Sequence, residues 1–307
     1  MSAHGVMFHH FHGDDHPVGQ GSISGEQLHG IIRSLGRGRI LPAHEFLDRA
    51  IANRLHSHHV CLTFDDNLMC QYDVAVPVLE EFGITAFWFV YTSVMQGNIE
   101  RLEVYRHFRT TQFDTVDDFY AAFFVRLHES PFGGVAQKCL AKFDPQLYLA
   151  AFPFYSDADR RFRYVRDDVL GPSAYGQVMD EMMRCAGYDV RTAAGSLWMG
   201  NPEVRSLHES GHVIGLHSHT HPTRLERLNE DEQRYEYKSN HAHLTSLLGE
   251  PAAVVSHPCN SYNQTTLRIL RSLGVKVGFR ANMAIGFSSE LELPREDHAN
   301  LVRRVAA

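Results

Sequence analysis

The stretch Val213–Pro222, VIGLHSHTHP, is the segment from which the fold of this chain can be worked out. A short apolar run, typical of a buried strand, is followed by three imidazoles within five residues, at His217, His219 and His221. Imidazole is the commonest metal-binding side chain near neutral pH. His217 and His221 can face one point if a helical turn follows the strand. A polar histidine-rich loop is the alternative, but the pattern favours a strand that ends in metal ligands.

A second apolar run, CLTFDD at Cys61–Asp66, ends in two carboxylates. Adjacent residues of a regular strand point to opposite faces, so Asp65 and Asp66 can reach one centre only if the strand ends between them. The turn-tolerant Asn67 is consistent with that break. Taken alone, the two aspartates are equally compatible with a helix N-cap or a turn.

Short apolar runs alternate with longer amphipathic stretches throughout the chain, which indicates an α/β fold with a mostly parallel sheet. Strands are expected at Gly5–Phe8, His59–Phe64, Ile84–Val90, Val213–Leu216, Ala252–Ser256 and Lys276–Arg280, with a weaker one at Leu291–Leu293. Helices are expected at Ser24–Ser34, Ala43–Arg54, Tyr72–Phe82, Pro202–Ser210, Glu230–Leu248 and Gln264–Leu273. Glycines suited to ending helices are Gly83, Gly211, Gly249 and Gly274.

One segment, 98–188, breaks this rhythm, because it is aromatic, helical in pattern and too long for a simple crossover. We expect residues 1–307 to form a single domain, with 98–188 inserted as a lid or as a small helical lobe. Four arginines between positions 160 and 166 are expected to form a solvated helix face rather than an anion site.

The composition limits the function. The chain has 307 residues and a net charge of −7, so it has no basic excess with which to bind nucleic acid. Its five cysteines are scattered and read as reduced thiols. No secretory signal is visible, and no apolar run approaches the ~20 residues of a membrane span. We therefore expect a cytoplasmic protein without membrane insertion; its oligomeric state is left open.

Polar and titratable residues follow nearly every expected strand, and parallel strands bind ligands at their carboxyl ends. These residues include His9, His10, Asp65, Asp66, Tyr91, His217, His221, His257, Cys259, Arg295 and His298. The two aspartates and the histidines at 217 and 221 would supply one carboxylate and two imidazoles to a divalent ion, with one carboxylate left over. Mixed nitrogen and oxygen ligands suit Zn²⁺. The spare carboxylate could then serve as a general base.

These segments also resemble a known family. TFDD at Thr63–Asp66 and HSHTH at His217–His221 are similar to the first two motifs of the NodB-homology polysaccharide deacetylases, carbohydrate esterase family 4. The segment Ser256–Leu270 is similar to the third motif of one branch, and LPRED at Leu293–Asp297 to that branch's LPRxD stretch. The resemblance implies a distorted (β/α) barrel that hydrolyses an N- or O-acetyl group on a sugar.

The resemblance also implies roles for individual residues. Asp65 matches the general base. The matched metal ligands are Asp66, His217 and His221. The expected substrate-binding segment contains Cys259, Asn260 and Tyr262, with an oxyanion held by the metal and by a backbone N–H near Cys259.

Two departures from the family pattern matter. Ser256–Asn260 lacks the arginine that orients the catalytic carboxylate in the family, and Arg295 is expected to supply that charge from the last strand end. No histidine follows His298, so the family's general acid has no direct counterpart. The candidates for this role are His298, His10 and His9.

Three aromatic residues near the third strand, Trp88, Phe89 and Tyr91, could floor a sugar ring by stacking, although a core role is equally expected for the first two. The loop residues Ser218 and His219 are expected to orient the loop rather than to bind metal.

The sequence and the resemblance thus predict a metal-dependent hydrolase, with Zn²⁺ as the expected divalent ion, that removes an N-acetyl or other acyl group from an amino sugar. The expected substrate is a small soluble or lipid-linked precursor of cell-surface polysaccharide, covered by the inserted segment. The alternatives are a hydrolase of C–N bonds in cyclic amides or formamides, and a non-catalytic homologue that binds sugar or metal.

Overall fold

The structure is a computed structural model that describes residues 3–150, 155–284 and 289–305. The chain divides into two compact units. One contains residues 1–100 and 196–307, and the other is Arg101–Gly195. Four residues of the expected insertion, 151–154, lie outside the described residues.

In the described part of the first unit, seven parallel strands form one sheet in the order β6-β5-β4-β3-β2-β1-β7. The strands are β1 His4–Phe8, β2 Val60–Asp65, β3 Phe87–Val90, β4 Val213–Leu216, β5 Val254–Ser256, β6 Val277–Phe279 and β7 Arg295–Asp297. The helices of this unit are α1 Gly25–Leu35, α2 Ala43–Ile51, α3 Val76–Phe82, α10 Asn201–Glu209, α11 Glu230–Leu248, α12 Gln264–Ser272 and α13 His298–Val305.

Helix bounds follow local capping chemistry. Asn229 caps the first turn of α11 by accepting from the N–H of Glu232, whose carboxylate accepts in turn from the N–H of Asn229. The same helix ends at Gly249, where φ is +81°. The other three predicted terminal glycines also adopt positive φ. All four glycine predictions are therefore confirmed.

The two edges of the sheet approach each other, so the barrel is nearly closed. The N–H of Leu293 donates to the carbonyl of Gly278 at 2.8 Å, and the N–H of Arg280 donates to the carbonyl of Leu293 at 3.0 Å. A Cβ on Gly278 would lie 2.4 Å from the carbonyl oxygen of Leu291, so this closure requires glycine. The expected distorted (β/α) barrel is confirmed.

The last strand was misplaced in the sequence analysis. Leu291–Leu293 was expected to be the strand, but Leu293 makes only an isolated bridge, to Phe279, and the strand paired with β1 is Arg295–Asp297. The error has a physical cause, since Arg295 and Glu296 are charged but buried. A pattern search that looks for apolar runs passes over such a strand.

A cluster of buried apolar side chains from β2, β3, β4, β5 and β6 fills one side of the sheet and is covered by α2. Its members include Phe46, Cys61, Phe87, Phe89, Val213, Val254, Val277 and Phe279. No disulfide joins the five cysteines, all of which lie in the described part of the chain. None of the described helices combines the length and the apolar character that crossing a membrane requires.

The second unit is helical in its described residues. It contains α4 Arg101–Gln112, α5 Val116–Glu129, α6 Gly133–Leu140, α7 Asp157–Tyr164, α8 Gly171–Cys185 and most of α9 Val190–Leu197. The expected solvated arginine face is wrong for Arg160 and Arg163, whereas Arg161 is exposed. Arg160 is buried and donates to the carbonyl of Pro145 at 2.8 Å, and Arg163 stacks over the ring of Tyr155 at 4.1 Å. That the segment 98–188 acts as a lid stays a prediction.

Candidate metal and catalytic centre

The chain turns sharply at the end of β2. The strand stops at Asp65, and Asp66 and Asn67 both adopt positive φ, of +77° and +41°. The side-chain carbonyl of Asn67 accepts from the N–H of Tyr91 at 3.2 Å, which ties the turn to the end of β3. The predicted break between the two aspartates is confirmed, and Asp65 and Asp66 reach the same end of the sheet.

The residues His217–His221, which we call the histidine loop, also turn through left-handed backbone. Ser218 has φ +64° and His221 has φ +56°. The hydroxyl oxygen of Ser218 accepts from the N–H of His221 at 3.1 Å. The helical turn expected after β4 is therefore wrong, and a tighter turn brings the two outer histidines together, with ring centroids 5.0 Å apart.

Asp66, His217 and His221 converge at one point. Oδ1 of Asp66 lies 3.2 Å from Nε2 of His217 and 3.3 Å from Nε2 of His221. The ligand atoms of this triad all lie within 4.8 Å of one another, and it is the only such group in the described residues. Oδ1 of Asp66 is buried and has no hydrogen-bond partner. A buried, unsatisfied carboxylate oxygen facing two imidazole nitrogens fits a divalent cation.

Hydrogen bonding and burial favour ligand nitrogens in the triad, although the carboxylates of Asp65 and Asp66 outweigh burial and raise the pKa of His217. Nδ1 of His217 lies 2.9 Å from the carbonyl oxygen of Ser256 and donates to it, which leaves Nε2 as the ligand nitrogen. Burial lowers the pKa of His221 to about 4, so this imidazole is neutral near pH 7. Burial opposes ionisation of Asp66, but His221 and His217 outweigh it and hold the carboxyl pKa well below its usual range.

Asp65 lies beside the triad in a buried ion pair with Arg295. The two guanidinium nitrogens donate to the two carboxylate oxygens at 2.6 and 2.7 Å. The hydroxyl of Ser256 donates to Oδ2 of Asp65 at 3.1 Å and accepts from Arg295 at 2.7 Å. Burial favours the neutral acid, yet Arg295 and His217 keep the pKa of Asp65 below its usual range. The predicted contribution of Arg295 from the last strand is matched by this geometry.

Among the candidate proton donors, His9 lies nearest to Asp65. Its Nε2 is 4.0 Å from Oδ2 of Asp65, and 30% of its side chain is exposed. Gln71 donates to the backbone carbonyls of His9 and Asp65 at 2.7 and 2.6 Å, which joins the ends of β1 and β2. The ring of His10 lies one step further along, 6.3 Å from that of His9.

His298 does not fit the proton-donor role predicted for it. Its two ring nitrogens lie 3.2 and 3.1 Å from the carbonyl oxygens of Met7 and Gly21, and its ring stacks on Phe8. Burial lowers its pKa. With both nitrogens directed at backbone oxygens, this histidine joins the end of the chain to β1 instead.

Several predicted substrate contacts are engaged elsewhere. Tyr91 is 2% exposed and packs against His221, so it offers no open stacking face. Trp88 and Phe89 belong to the core. The hydroxyl of Tyr262 donates to Glu292 at 3.0 Å, and its ring stacks on His257.

The turn after β5 is the remaining predicted substrate segment. Cys259 and Asn260 both adopt positive φ, of +50° and +57°, and Cys259 is exposed. The side-chain carbonyl of Asn260 accepts from the N–H of Ala281 at 2.8 Å, so this residue supports the turn.

Polar residues that were not predicted from the sequence support the site, among them Ser256, Glu236 and Asn240. All three are buried. A serine after a valine pair, and polar residues within a helix, carry no local signal of such a role. A buried asparagine on a helix is recognisable only when its partners are known.

Comparison with known proteins agrees with the motifs. The family model described as polysaccharide deacetylase matches residues 181–278, which contain the histidine loop. The solved structures that are similar to this chain include three given with their sequence identity, the covered share of this chain and of the other chain, and the TM-score. They are a Streptococcus pyogenes deacetylase, PplD, in complex with acetate (16% identity, 97% of this chain and 92% of that chain, TM-score 0.56), a de-N-acetylase from Aggregatibacter actinomycetemcomitans (11%, 95% and 93%, 0.54), and IcaB from Ammonifex degensii (14%, 99% and 96%, 0.53). At these identities the structures show a shared fold. No curated protein sequence matches.

Proposed function

We propose that this chain is a polysaccharide deacetylase, the family whose model matches residues 181–278. It removes the acetyl group from an N-acetylated amino sugar with the help of a divalent cation, zinc being the expected ion. The observation that carries the proposal is the triad of Asp66, His217 and His221 beside the ion-paired carboxylate of Asp65. The name of the structurally similar de-N-acetylase supports an amide substrate.

The metal ligands in this proposal are Asp66, His217 and His221. When bound, a divalent cation polarises an acyl carbonyl and lowers the pKa of water. Neighbouring residues fix the orientation of the proposed ligand side chains and the charge that these side chains carry. The carbonyl of Ser256 holds the ring of His217, and the carboxylate of Asp66 would balance part of the charge of the cation.

Asp65 is the general base of the proposed reaction. Arg295 keeps it ionised, so it can accept a proton from the attacking water, and the bidentate contact fixes its orientation. His9 is then placed to return a proton to the leaving nitrogen, because it is partly exposed and adjacent to Asp65. The exposed turn at Cys259 is the proposed oxyanion side of the site.

Arg295 also bears on the alternatives. The cyclic-amide and formamide hydrolase was considered because the third motif lacks its arginine, and a guanidinium from β7 occupies the matching role beside Asp65. A non-catalytic homologue would have no need for an ionised base next to a cation site. The deacetylase is therefore the function that we propose.

For the substrate, we propose a soluble or lipid-linked acetamido sugar inside the cell, a precursor of surface polysaccharide. Acetate release would be compared on nucleotide-linked N-acetyl sugars and on chitin oligomers. The proposal expects higher kcat/KM on the activated monosaccharides. Activity on the oligomers alone would remove the precursor assignment while leaving the deacetylase intact.

The role of Asp65 is tested by Asp65→Asn in the zinc-loaded enzyme. General acid or base groups contribute about 10²–10⁴-fold, so kcat should fall by that order while bound zinc, measured by elemental analysis, stays at one per chain. His9→Gln should lower kcat less and leave zinc unchanged. Equal activity of the Asp65→Asn and unmodified proteins would refute the base assignment.

A further inference from the structure

We infer that Glu236 and Asn240, one turn apart on α11, are positioning residues that hold the histidine loop in its ligating conformation. This inference rests on the proposed function only in taking the loop as the metal-binding element. Residues four apart on a helix share one face, so both side chains can reach the same loop. Both are buried.

The two side chains accept hydrogen bonds from three backbone N–H groups of the histidine loop. The side-chain carbonyl of Asn240 accepts from the N–H of His217 at 3.0 Å. One carboxylate oxygen of Glu236 accepts from the N–H groups of His219 and Thr220 at 2.9 and 2.7 Å. The other oxygen accepts from the hydroxyl of Thr220 at 2.6 Å. The loop is thus held by its main chain from its first ligand to the residue before its second.

Asn240 also joins the histidine loop to β3. Its amide donates to the carbonyl of Val90 at 2.9 Å and to the hydroxyl oxygen of Thr92 at 3.3 Å. That hydroxyl lies 3.0 Å from Nδ1 of His219. These contacts fix the middle histidine of the loop. Asn240 therefore supports both the histidine loop and the turn at the end of β3.

The loop needs this support because its backbone is strained. Ser218 and His221 lie in the left-handed region without being glycine. Such residues cost of order 1–3 kcal/mol each and persist only where the surrounding structure fixes them. The hydrogen bonds from Glu236 and Asn240 are on both neighbours of Ser218 and on Thr220, the residue before His221, so they supply that constraint.

Among the described residues, the buried carboxylate of Glu236 is surrounded by hydrogen-bond donors of the histidine loop and not by a cationic side chain. In the described part of the chain, no lysine, arginine or histidine lies within ion-pair distance of its carboxylate, and the three donors of the loop surround it instead. A buried carboxylate is stable only when such donors are kept in place. Movement of the loop would leave this charge unsatisfied, so the loop and Glu236 restrain each other.

The test compares zinc affinity in Glu236→Ala, Glu236→Gln and Asn240→Ala with a matched control, Gln233→Ala. Gln233 is buried on the same helix and bonds to Leu228 and Thr266, but it does not contact the histidine loop. Competition with a chromogenic chelator gives the zinc Kd. Thermal unfolding of the metal-free proteins reports the structural cost that all four variants share.

We expect Kd to rise about 10–100-fold in Glu236→Ala and Asn240→Ala, the range typical of residues that orient metal ligands. Glu236→Gln, which keeps one acceptor, should recover part of the affinity, and Gln233→Ala should stay within about twofold. Zinc affinity in the Glu236 and Asn240 variants equal to that of the control would overturn the inference.

Amide hydrogen exchange on metal-free protein separates this inference from the proposed function. Exchange at His219 and Thr220 should accelerate in Glu236→Ala and remain slow in Gln233→Ala. Failure of the unmodified protein to bind zinc would refute the metal site, yet exchange would still decide whether Glu236 holds the loop. Unchanged exchange in Glu236→Ala would refute the positioning role.

Discussion

Asp65 is held by an ion pair between two strand ends, whereas the histidine loop is held by hydrogen bonds from a helix to a strained main chain. In the first region, β2 and β7 deliver their side chains from regular backbone, and the opposite charges of Asp65 and Arg295 fix the geometry. In the second, the backbone itself has to be forced into a turn. The orientation of Asp65, the proposed base, therefore depends on the charge of Arg295, and the orientation of the proposed ligands His217 and His221 depends on the backbone conformation of the loop.

Removing the positive charge of Arg295 should give the largest loss of stability. Arg295→Met leaves the carboxylate of Asp65 buried without its cation, and breaking such a buried pair typically costs about 3–5 kcal/mol. The free energy of unfolding, from urea titration at pH 7, should fall by that order, and kcat should fall with it. As a control, Arg234→Met removes an exposed i,i+4 pair with Glu230 and should change stability by less than about 1 kcal/mol.

The pH dependence of the free energy of unfolding tests the ion pair between Asp65 and Arg295. The folded-state pKa of Asp65 is depressed, so its contribution to stability is complete above the unfolded pKa of about 3.9 and is lost as the pH falls through the folded value. The stability of Arg295→Met should therefore vary less with pH below about 4 than that of the unmodified protein. Parallel curves in that range would contradict the ion-pair account.

Buried histidines should act at a higher pH. Burial lowers the folded pKa values of His212 and His257 to about 4, so the unfolded chain takes up protons first as the pH falls below about 6.5. Stability should therefore decrease between pH 6.5 and 4, by of order 2–3 kcal/mol for each histidine. Urea titrations of the unmodified protein across this range would show it, and constant stability would be the contrary result.

The smallest expected effect concerns the strained loop. Ser218→Gly relieves a positive φ but removes the acceptor for the N–H of His221, and these opposing changes should leave stability within about 1 kcal/mol of the original. Zinc affinity should fall modestly, because the second ligand loses a constraint. A large loss of stability would show that Ser218 is more than a turn residue.

The position of the site was easier to predict from the sequence than the contacts that hold its residues in place. Thr63–Asp66 and His217–His221 carry chemistry that is rare at strand ends, so a shared metal site on a mostly parallel α/β sheet could be predicted from local patterns. The barrel and the separate roles of Asp65 and Asp66 were implied by the family resemblance. Arg295 was correctly paired with Asp65, but its strand was placed too early, because a buried charged strand looks like a loop. His298 was proposed as a proton donor from its position in the chain, and only the structure shows that backbone carbonyls face its ring.

The supporting residues could not be predicted from the sequence because they act through hydrogen bonds to residues far away in the chain. Glu236 and Asn240 lie 15 or more residues beyond the histidine loop on a helix whose bounds were predicted correctly, at Glu230–Leu248. Their helical pattern reveals a buried face but not its partners. The same holds for Ser256, which contacts Asp65 across 191 positions of sequence.

Anomalous diffraction from crystals soaked in zinc tests the central claim most directly. The account predicts one strong zinc peak about 2.0–2.2 Å from an oxygen of Asp66 and from Nε2 of both His217 and His221, with Asp65 outside bonding distance. A peak at another position, or none at the triad under saturating zinc, would contradict it.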